Sequence, residues 1–277
     1  MATGLMQRAM GLQFPQALWR HRQLTLRLMR RDVAGRYKGS LLGWGWSLIQ
    51  PLLLLGVYTF VFSTVFRSRW NDLEQLGSLG FAINLFAGLI VFNLFAECAS
   101  RGPALVLQNP SYVTKVVFPL EVLALVSVGT ASFHAAMGLA VLALFQLIGG
   151  GAGLGLSWVW LPLVWLPLLS SCLALGWLLS ALGVYLRDLQ QLVVVAVNLL
   201  LFLSAVFYPV SALPPAWQPW LQLNPLVPLI EQSRRVLVEG AAPDLRLLLA
   251  GSLLALVLCE LSFRGFQRAR RGFADVV

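Results

Sequence analysis

Six long apolar runs, separated by short polar stretches, dominate this chain of 277 residues. They cover residues 41–66, 79–96, 120–148, 156–185, 189–208 and 247–263. A run of about 17–25 apolar residues can cross a bilayer as a helix, because each residue adds about 1.5 Å along the axis. The pattern therefore predicts an all-α integral membrane protein with six transmembrane helices, built as a single transmembrane domain over residues 1–277. Residues 1–40 form its cytoplasmic and interfacial N-terminus, 41–263 its six-span core and 264–277 a basic cytoplasmic tail. The third and fourth runs exceed one bilayer thickness, so they tilt, bend or project from it. Gly138, Pro162 and Pro167 are the bend points.

Two other stretches carry patterns of their own. Over residues 18–33, a helical period places Leu18, Trp19, Leu26, Met29 and Val33 in one arc, with Arg20, Arg27 and Arg31 opposite. This predicts an amphipathic helix lying along the inner leaflet. Arg22 falls inside the apolar arc and needs a partner or a route to water. Residues 209–244 contain seven prolines among Trp217, Trp220, Leu223, Leu226 and Ile230. That stretch is too apolar for a solvated loop and too broken for a span. It predicts short helices re-entering the outer leaflet between spans five and six, where irregular backbone survives only against protein or water. Between spans two and three, the loop 101–119 is polar but has apolar residues enough for one short helix.

Charge supports the membrane reading. Only 11% of residues are Asp, Glu, Lys or Arg, against about 25% in soluble domains, and the mean hydropathy is +0.79. The net charge of +9 does not point to nucleic acid, because eight of the 20 basic residues lie between Arg8 and Lys38 and four more between Arg264 and Arg271. Basic clusters beside apolar runs anchor a protein on an anionic leaflet. With both termini cytoplasmic, fifteen basic residues fall inside and five outside, which is the bias that sets orientation. Asp72 and the glycine-rich turn 149–155 then lie outside. No apolar leader with a small-residue cleavage site precedes the first span. Cys98, Cys172 and Cys259 are far apart and form neither a disulfide framework nor a metal motif, and they read as small packing residues.

The chain carries no phosphate-binding Gly-Lys-Ser/Thr loop, no HExxH and no Gly-x-Ser-x-Gly turn. No catalytic residue and no metal site is assigned. His134 sits within the third span, where an ionisable side chain is either functional or hydrogen-bonded to a neighbouring helix. Glu97, Glu121, Asp188 and Glu260 all lie near predicted cytoplasmic ends, so the span centres have no acidic relay of the kind ion-coupled pumps use. A transporter of this sequence needs energy from elsewhere, and a cytosolic motor touching the inner loops is the simplest source. The many span aromatics serve either as packing and belt residues or as stacking faces for sugar rings.

Four blocks carry a family resemblance. They are RYKGSLLGWGWSLIQP at 36–51, NPSYVTKVVFPLE at 109–121, YLRDLQQLV at 185–193 with LSAVFYP at 203–209, and NPLVPLIEQSRRVLVEG at 224–240. In this order and spacing the chain resembles the membrane subunit of ABC-type polysaccharide exporters, the permeases for capsular polysaccharide, O-antigen or teichoic acid. One departure is Ala205, where the family pattern has proline after Leu-Ser.

The resemblance implies a homodimer in the bacterial inner membrane and a separate nucleotide-binding ATPase subunit. ATP and Mg would be bound by that partner, and this chain would hold no cofactor. It implies a lipid-linked polysaccharide as substrate, with envelope-spanning export partners. Arg36, Tyr37 and Lys38 match the motif where the anionic lipid head leaves the inner leaflet, although plain positive-inside anchoring explains the same charges. Gly102, Leu105, Gln108, Asn109 and Lys115 match the segment that docks on the ATPase, and Arg187 with Asp188 the turn between spans four and five. Pro214, Trp217, Trp220, Asn224, Pro225, Glu231 and Arg234 match the outer gate helices. Two other classes stand beside this reading: a stand-alone channel or secondary transporter, and a membrane enzyme acting on lipid-linked sugars. Absent mid-span carboxylates count against the first and absent catalytic groups against the second.

Overall fold

A computed structural model describes residues 13–61, 77–114, 118–148 and 155–276. Among these residues the chain is helical, without strands. In order the helices are α1 (Gln13–Tyr37), α2 (Trp46–Thr59), α3 (Gly77–Arg101), α4 (Pro110–Thr114), α5 (Val122–Ile148), α6 (Leu161–Tyr185), α7 (Leu189–Leu203), α8 (Gln218–Gln222), α9 (Leu226–Leu237) and α10 (Leu245–Ala269). Lys115, Asp72, the turn residues 149–154 and both chain ends lie outside the described residues.

Four helices are long and apolar enough to cross a membrane: 80–104, 122–147, 156–185 and 245–274. The apolar helix α7 is shorter, at 15 residues, or about 22 Å. Burial separates a centre from a periphery, since 83% of the apolar window of α3 is buried but only 28% of that of α10. A helix apolar on every side belongs inside a bundle. Accordingly α3 packs against α5, α6 and α9, while α6 packs along α10. Close approach depends on small residues. At Gly183 of α6 any Cβ would overlap the Pro103 carbonyl, so only glycine lets the 3₁₀ turn Gly102–Ala104 rest on that helix.

The N-terminal helix forms where expected and lies across α5. Its apolar arc divides. Val33 is buried and Met29 packs over Gly129, whereas Trp19 and Leu26 stay exposed. Arg22 finds a partner in Trp19, its guanidinium carbon lying 4.1 Å from the ring centroid. The first turn of α1 is capped from the far end of the chain, because Glu260 of α10 accepts the backbone N–H groups of Gln13 and Phe14 at 2.8 and 3.2 Å.

Three boundaries differ from the sequence expectation. Span two runs past residue 96 to Arg101, because Glu97 and Arg101 are paired inside the protein rather than released to a loop. Span five stops at Leu203, and Ser204–Tyr208 turn away. The described part of the first span begins only at Trp46, after a 3₁₀ turn at Gly43–Gly45. Pro162 sits in the first turn of α6, where its missing N–H removes no bond, while Pro167 lies inside that helix. The three cysteines are free and buried.

Candidate functional site: two polar clusters at opposite ends of helix α3

At the Arg101 end of α3, α1 and α5 bring five charged or titratable side chains together. Arg36 donates to Glu97 at 2.7 Å, and Glu97 also meets His134 Nδ1 at 2.8 Å. Arg36 Nη1 lies 3.3 Å from the same His134 nitrogen. Nδ1 cannot donate to Glu97 and accept from Arg36 at once, and the shorter distance assigns its proton to Glu97. His134 is thus bonded to a neighbouring helix. Its Nε2 is buried with no hydrogen-bond partner among the described residues.

Arg101 forks onto both oxygens of Asp32 at 2.9 and 3.0 Å, and Thr130 donates to Asp32 at 2.9 Å. Burial works against the Asp32 charge, but Arg101, Thr130 and Arg36 outweigh it and hold the carboxyl below its usual value. The formal charges balance: Asp32 and Glu97 against Arg36 and Arg101. A cavity of about 470 Å³ opens beside this network, lined by Arg36, Gln50, Asn93, Glu97, Arg101 and His134 among others. Such a lining suits a hydroxyl-rich ligand or water rather than a free anion, since both arginines already have carboxylates.

Tyr37 is buried beside the cluster, edge-on to His134 and tilted to Trp44, each at 6.2 Å between ring centres. Lys38 is exposed. Gly102 and Leu105 are buried against the bundle, and Gln108 is exposed. Asn109 turns its side chain back to the Leu105 carbonyl. The short helix of loop 101–119 is α4 rather than the stretch around residue 105. Arg187 and Asp188 are both exposed in the tight turn between α6 and α7. Gln190, just beyond that turn, donates to the Ser100 carbonyl and ties α7 to α3.

The other end of α3 has different chemistry. Arg234 of α9 is only 4% exposed. It donates to three backbone carbonyls: Asn84 at 3.1 Å, Ala205 at 2.9 Å and Val206 at 2.6 Å. Ala205 has a φ of +53°, a left-handed backbone that proline cannot adopt. The departure from the family pattern therefore matches the local geometry. Asn224 donates to the Leu203 carbonyl and the Ser204 hydroxyl and accepts from the Leu226 N–H. It joins the end of α7 to the start of α9. Glu231 is half-buried, while Pro214, Trp217, Trp220 and Pro225 are exposed. The sequence pattern flagged Arg234 and Asn224 but not their role as backbone anchors.

Asp32, Arg101 and Thr130 were not singled out by the sequence. The available signal was helical spacing, since Asp32 with Arg36 and Glu97 with Arg101 are both i,i+4 pairs of opposite sign. Among the described residues no group of three or more His, Cys, Asp or Glu side chains is placed to hold a metal ion.

Known proteins align with most of this chain. Over its full length an O-antigen export system permease protein, RfbA, from Myxococcus xanthus aligns with 96% of this chain at 29% identity. An RfbA from Klebsiella pneumoniae is 27% identical over 78% of this chain and 81% of its own. The polysialic acid transport protein KpsM from Escherichia coli is 23% identical over 77% of this chain and 80% of its own. The ABC-2 type transporter family model matches residues 23–238, a stretch that holds both polar clusters. The chain belongs to the ABC-2 type transporter family of membrane proteins.

Proposed function

We propose that this chain is the permease subunit of an ATP-driven exporter that moves a lipid-linked polysaccharide across the bacterial inner membrane. The observation that carries this reading is the alignment, end to end for the relative, with an O-antigen export permease. A polysialic acid transport protein, KpsM, aligns over most of the same chain. The conduit forms between two copies, and a separate ATPase binds ATP and Mg on the cytoplasmic side. Six spans cross the membrane, with α7 as the fifth and both termini cytoplasmic.

In this arrangement the exposed Gln108, Arg187 and Asp188 face the ATPase, while buried Gly102 and Leu105 brace that surface from behind. Lys115 belongs to the same segment by sequence. The lipid head meets the protein near Arg36, Tyr37 and Lys38. Residues 209–244 close the outer end, with Trp217 and Trp220 turned outward from this copy of the chain toward lipid or the second copy.

Co-expression with a candidate ATPase subunit tests the reading. A stable complex that hydrolyses ATP is expected, and the pure chain alone should hydrolyse none. Charge reversal at Arg187 together with Gln108→Glu should loosen the complex while insertion continues. Robust ATP hydrolysis by the isolated chain would end the proposal. Topology is tested separately in a cysteine-free background. A cysteine at 241 should react with an impermeant maleimide in spheroplasts, and one at 187 only after permeabilisation.

A further inference from the structure

By composition, residues 264–277 are a basic tail suited to an anionic leaflet, but the structure gives two of its arginines partners inside the protein. Arg264 is paired with Glu260, one turn back on α10, at 2.6 Å. Past Ala269 the chain tightens into a 3₁₀ turn at Arg270–Asp275, which packs against α4. Phe273 is completely buried, edge-on to Phe266 at 5.6 Å and tilted to Tyr185 at 6.2 Å between ring centres. The Tyr185 hydroxyl donates to the Ala269 carbonyl at 3.3 Å. A solvated tail that only carried charge to a membrane surface would not bury a phenyl ring. Arg270 reaches the loop between spans two and three. It donates to the Phe118 carbonyl and to the Glu121 carboxylate, each at 2.9 Å. Glu121 is buried, so this charge-assisted bond is sheltered from water on the acceptor side. The Phe118 ring in turn stacks on Tyr112 of α4, 4.3 Å between centres and 12° from parallel. Arg31 of α1 donates to the Tyr112 hydroxyl at 2.9 Å. Helix α4 is therefore held from both ends of the chain, through Arg31 and through Arg270.

The two ends of the loop are mounted differently. Its Gly102 end rests directly on α6, where Pro103 meets Gly183. Its α4 end is joined to α6 through the tail, by Arg270 on one side and by Phe273 against Tyr185 on the other. Tyr185 is the last residue of α6, just before the exposed turn at Arg187 and Asp188. We propose that the turn Arg270–Asp275 is a strut that sets the spacing between α4 and the Arg187–Asp188 turn, the two segments assigned above to the ATPase. Arg270 and Phe273 are its positioning residues, and neither has to touch the ATPase. The inference rests on the proposed function for the partner that reads this spacing. A partner that grips both segments binds with full affinity only while they stand in the right arrangement. Freeing α4 lowers the fraction of chains in that arrangement, and the apparent affinity falls by the same fraction. Plain leaflet anchoring treats Arg270 and its exposed neighbour Arg271 alike, whereas a strut needs only the first.

The test uses the full chain in nanodiscs, with the ATPase subunit that binds the wild type. Arg270→Gln should weaken ATPase binding by about tenfold or more, as expected when the competent arrangement drops to roughly one chain in ten. A chain ending at Ala269 should show the same loss. Arg270 keeps a third of its side chain exposed, so the single substitution leaves a folded bundle even where the shortened chain does not. Arg270→Lys can keep one of the two bonds and should fall between wild type and Arg270→Gln. Arg271→Gln removes an equal charge and should stay within about twofold of wild type, as an exposed charge does. A second measurement needs no ATPase. A nitroxide at position 111 of α4, in a cysteine-free background, should tumble about twofold faster or more in Arg270→Gln than in wild type. Equal losses of affinity in Arg270→Gln and Arg271→Gln would return the tail to plain anchoring and overturn the strut. Unchanged ATPase affinity in Arg270→Gln, or unchanged nitroxide motion, would overturn it too. Should no ATPase bind the wild-type chain, the export reading falls, and the nitroxide alone still decides whether the tail holds α4.

Discussion

Arg36 and Arg234 are both arginines set among apolar helices, and they are held in opposite ways. Arg36 keeps 42% of its side chain exposed and is matched to a carboxylate. Arg234 is 4% exposed and is matched to three peptide carbonyls. A carboxylate partner can be exchanged for another anion or removed by protonation. A peptide carbonyl can be neither titrated nor swapped. Arg36 is thus held by a replaceable partner, and Arg234 is gripped by three fixed carbonyls.

The largest predicted effect is at the fixed end. Arg234→Leu strips donors from three carbonyls at once, and each buried group left unpaired costs about 1–3 kcal/mol. We expect a loss of more than about 3 kcal/mol, read as collapse of the detergent-solubilised melting transition or of monodisperse yield. Gly88→Val should reproduce much of this, because a Cβ at Gly88 would lie 2.6 Å from Arg234 Nη2. A melting temperature within a degree of wild type in both variants would erase the contrast drawn above.

Next in size is the left-handed turn that Arg234 grips. Ala205→Pro cannot adopt the φ of +53° and should cost about 3 kcal/mol, as proline does where the backbone does not fit. Ala205→Gly should raise stability by roughly 0.5–1 kcal/mol, since glycine tolerates that region. A gain on the proline substitution would mean that the turn is not anchored.

At the exchangeable end the effects shrink. Glu97→Gln keeps an acceptor for Arg36 but removes its charge, and we expect less than about 1.5 kcal/mol, falling further in high salt. An effect as large as that of Arg234→Leu would place both clusters in one class.

The smallest effect concerns pH. The Asp32 carboxyl is held below its usual value in the folded protein. Its contribution is therefore present above the unfolded value of about 3.9 and is lost as pH falls through the lower folded value. Asp32→Asn should flatten the melting-temperature profile of the chain below about pH 4, and leave its shape unchanged between pH 6 and 8. Parallel profiles for variant and wild type would show that Asp32 is not ionised by its neighbours.

How legible these clusters were depends on where their partners sit. Apolar run lengths predicted α3, α5, α6 and α10 to within a few residues at most ends, because a span is a local property. Glu97 and Arg101 looked like the start of a loop, because charge usually ends a span. Their partners lie more than 60 residues upstream on α1, and no local window contains both. The arc of α1 was read correctly as a helix but not as one that splits its apolar side, burying Val33 while leaving Trp19 and Leu26 outside. Residues 209–244 were rightly read as short helices from proline spacing. That Arg234 turns inward to hold the Ala205 turn follows from tertiary geometry alone.

The bond between Glu260 and the first turn of α1 joins residues 246 and 247 positions apart. On a ribosome this means that the beginning of the chain waits for the end. Helix α1 emerges first but cannot acquire its cap until the final span has been made and inserted. Until then the backbone N–H groups of Gln13 and Phe14 lack the Glu260 carboxylate. Completion of the last span is thereby written into the capping of α1.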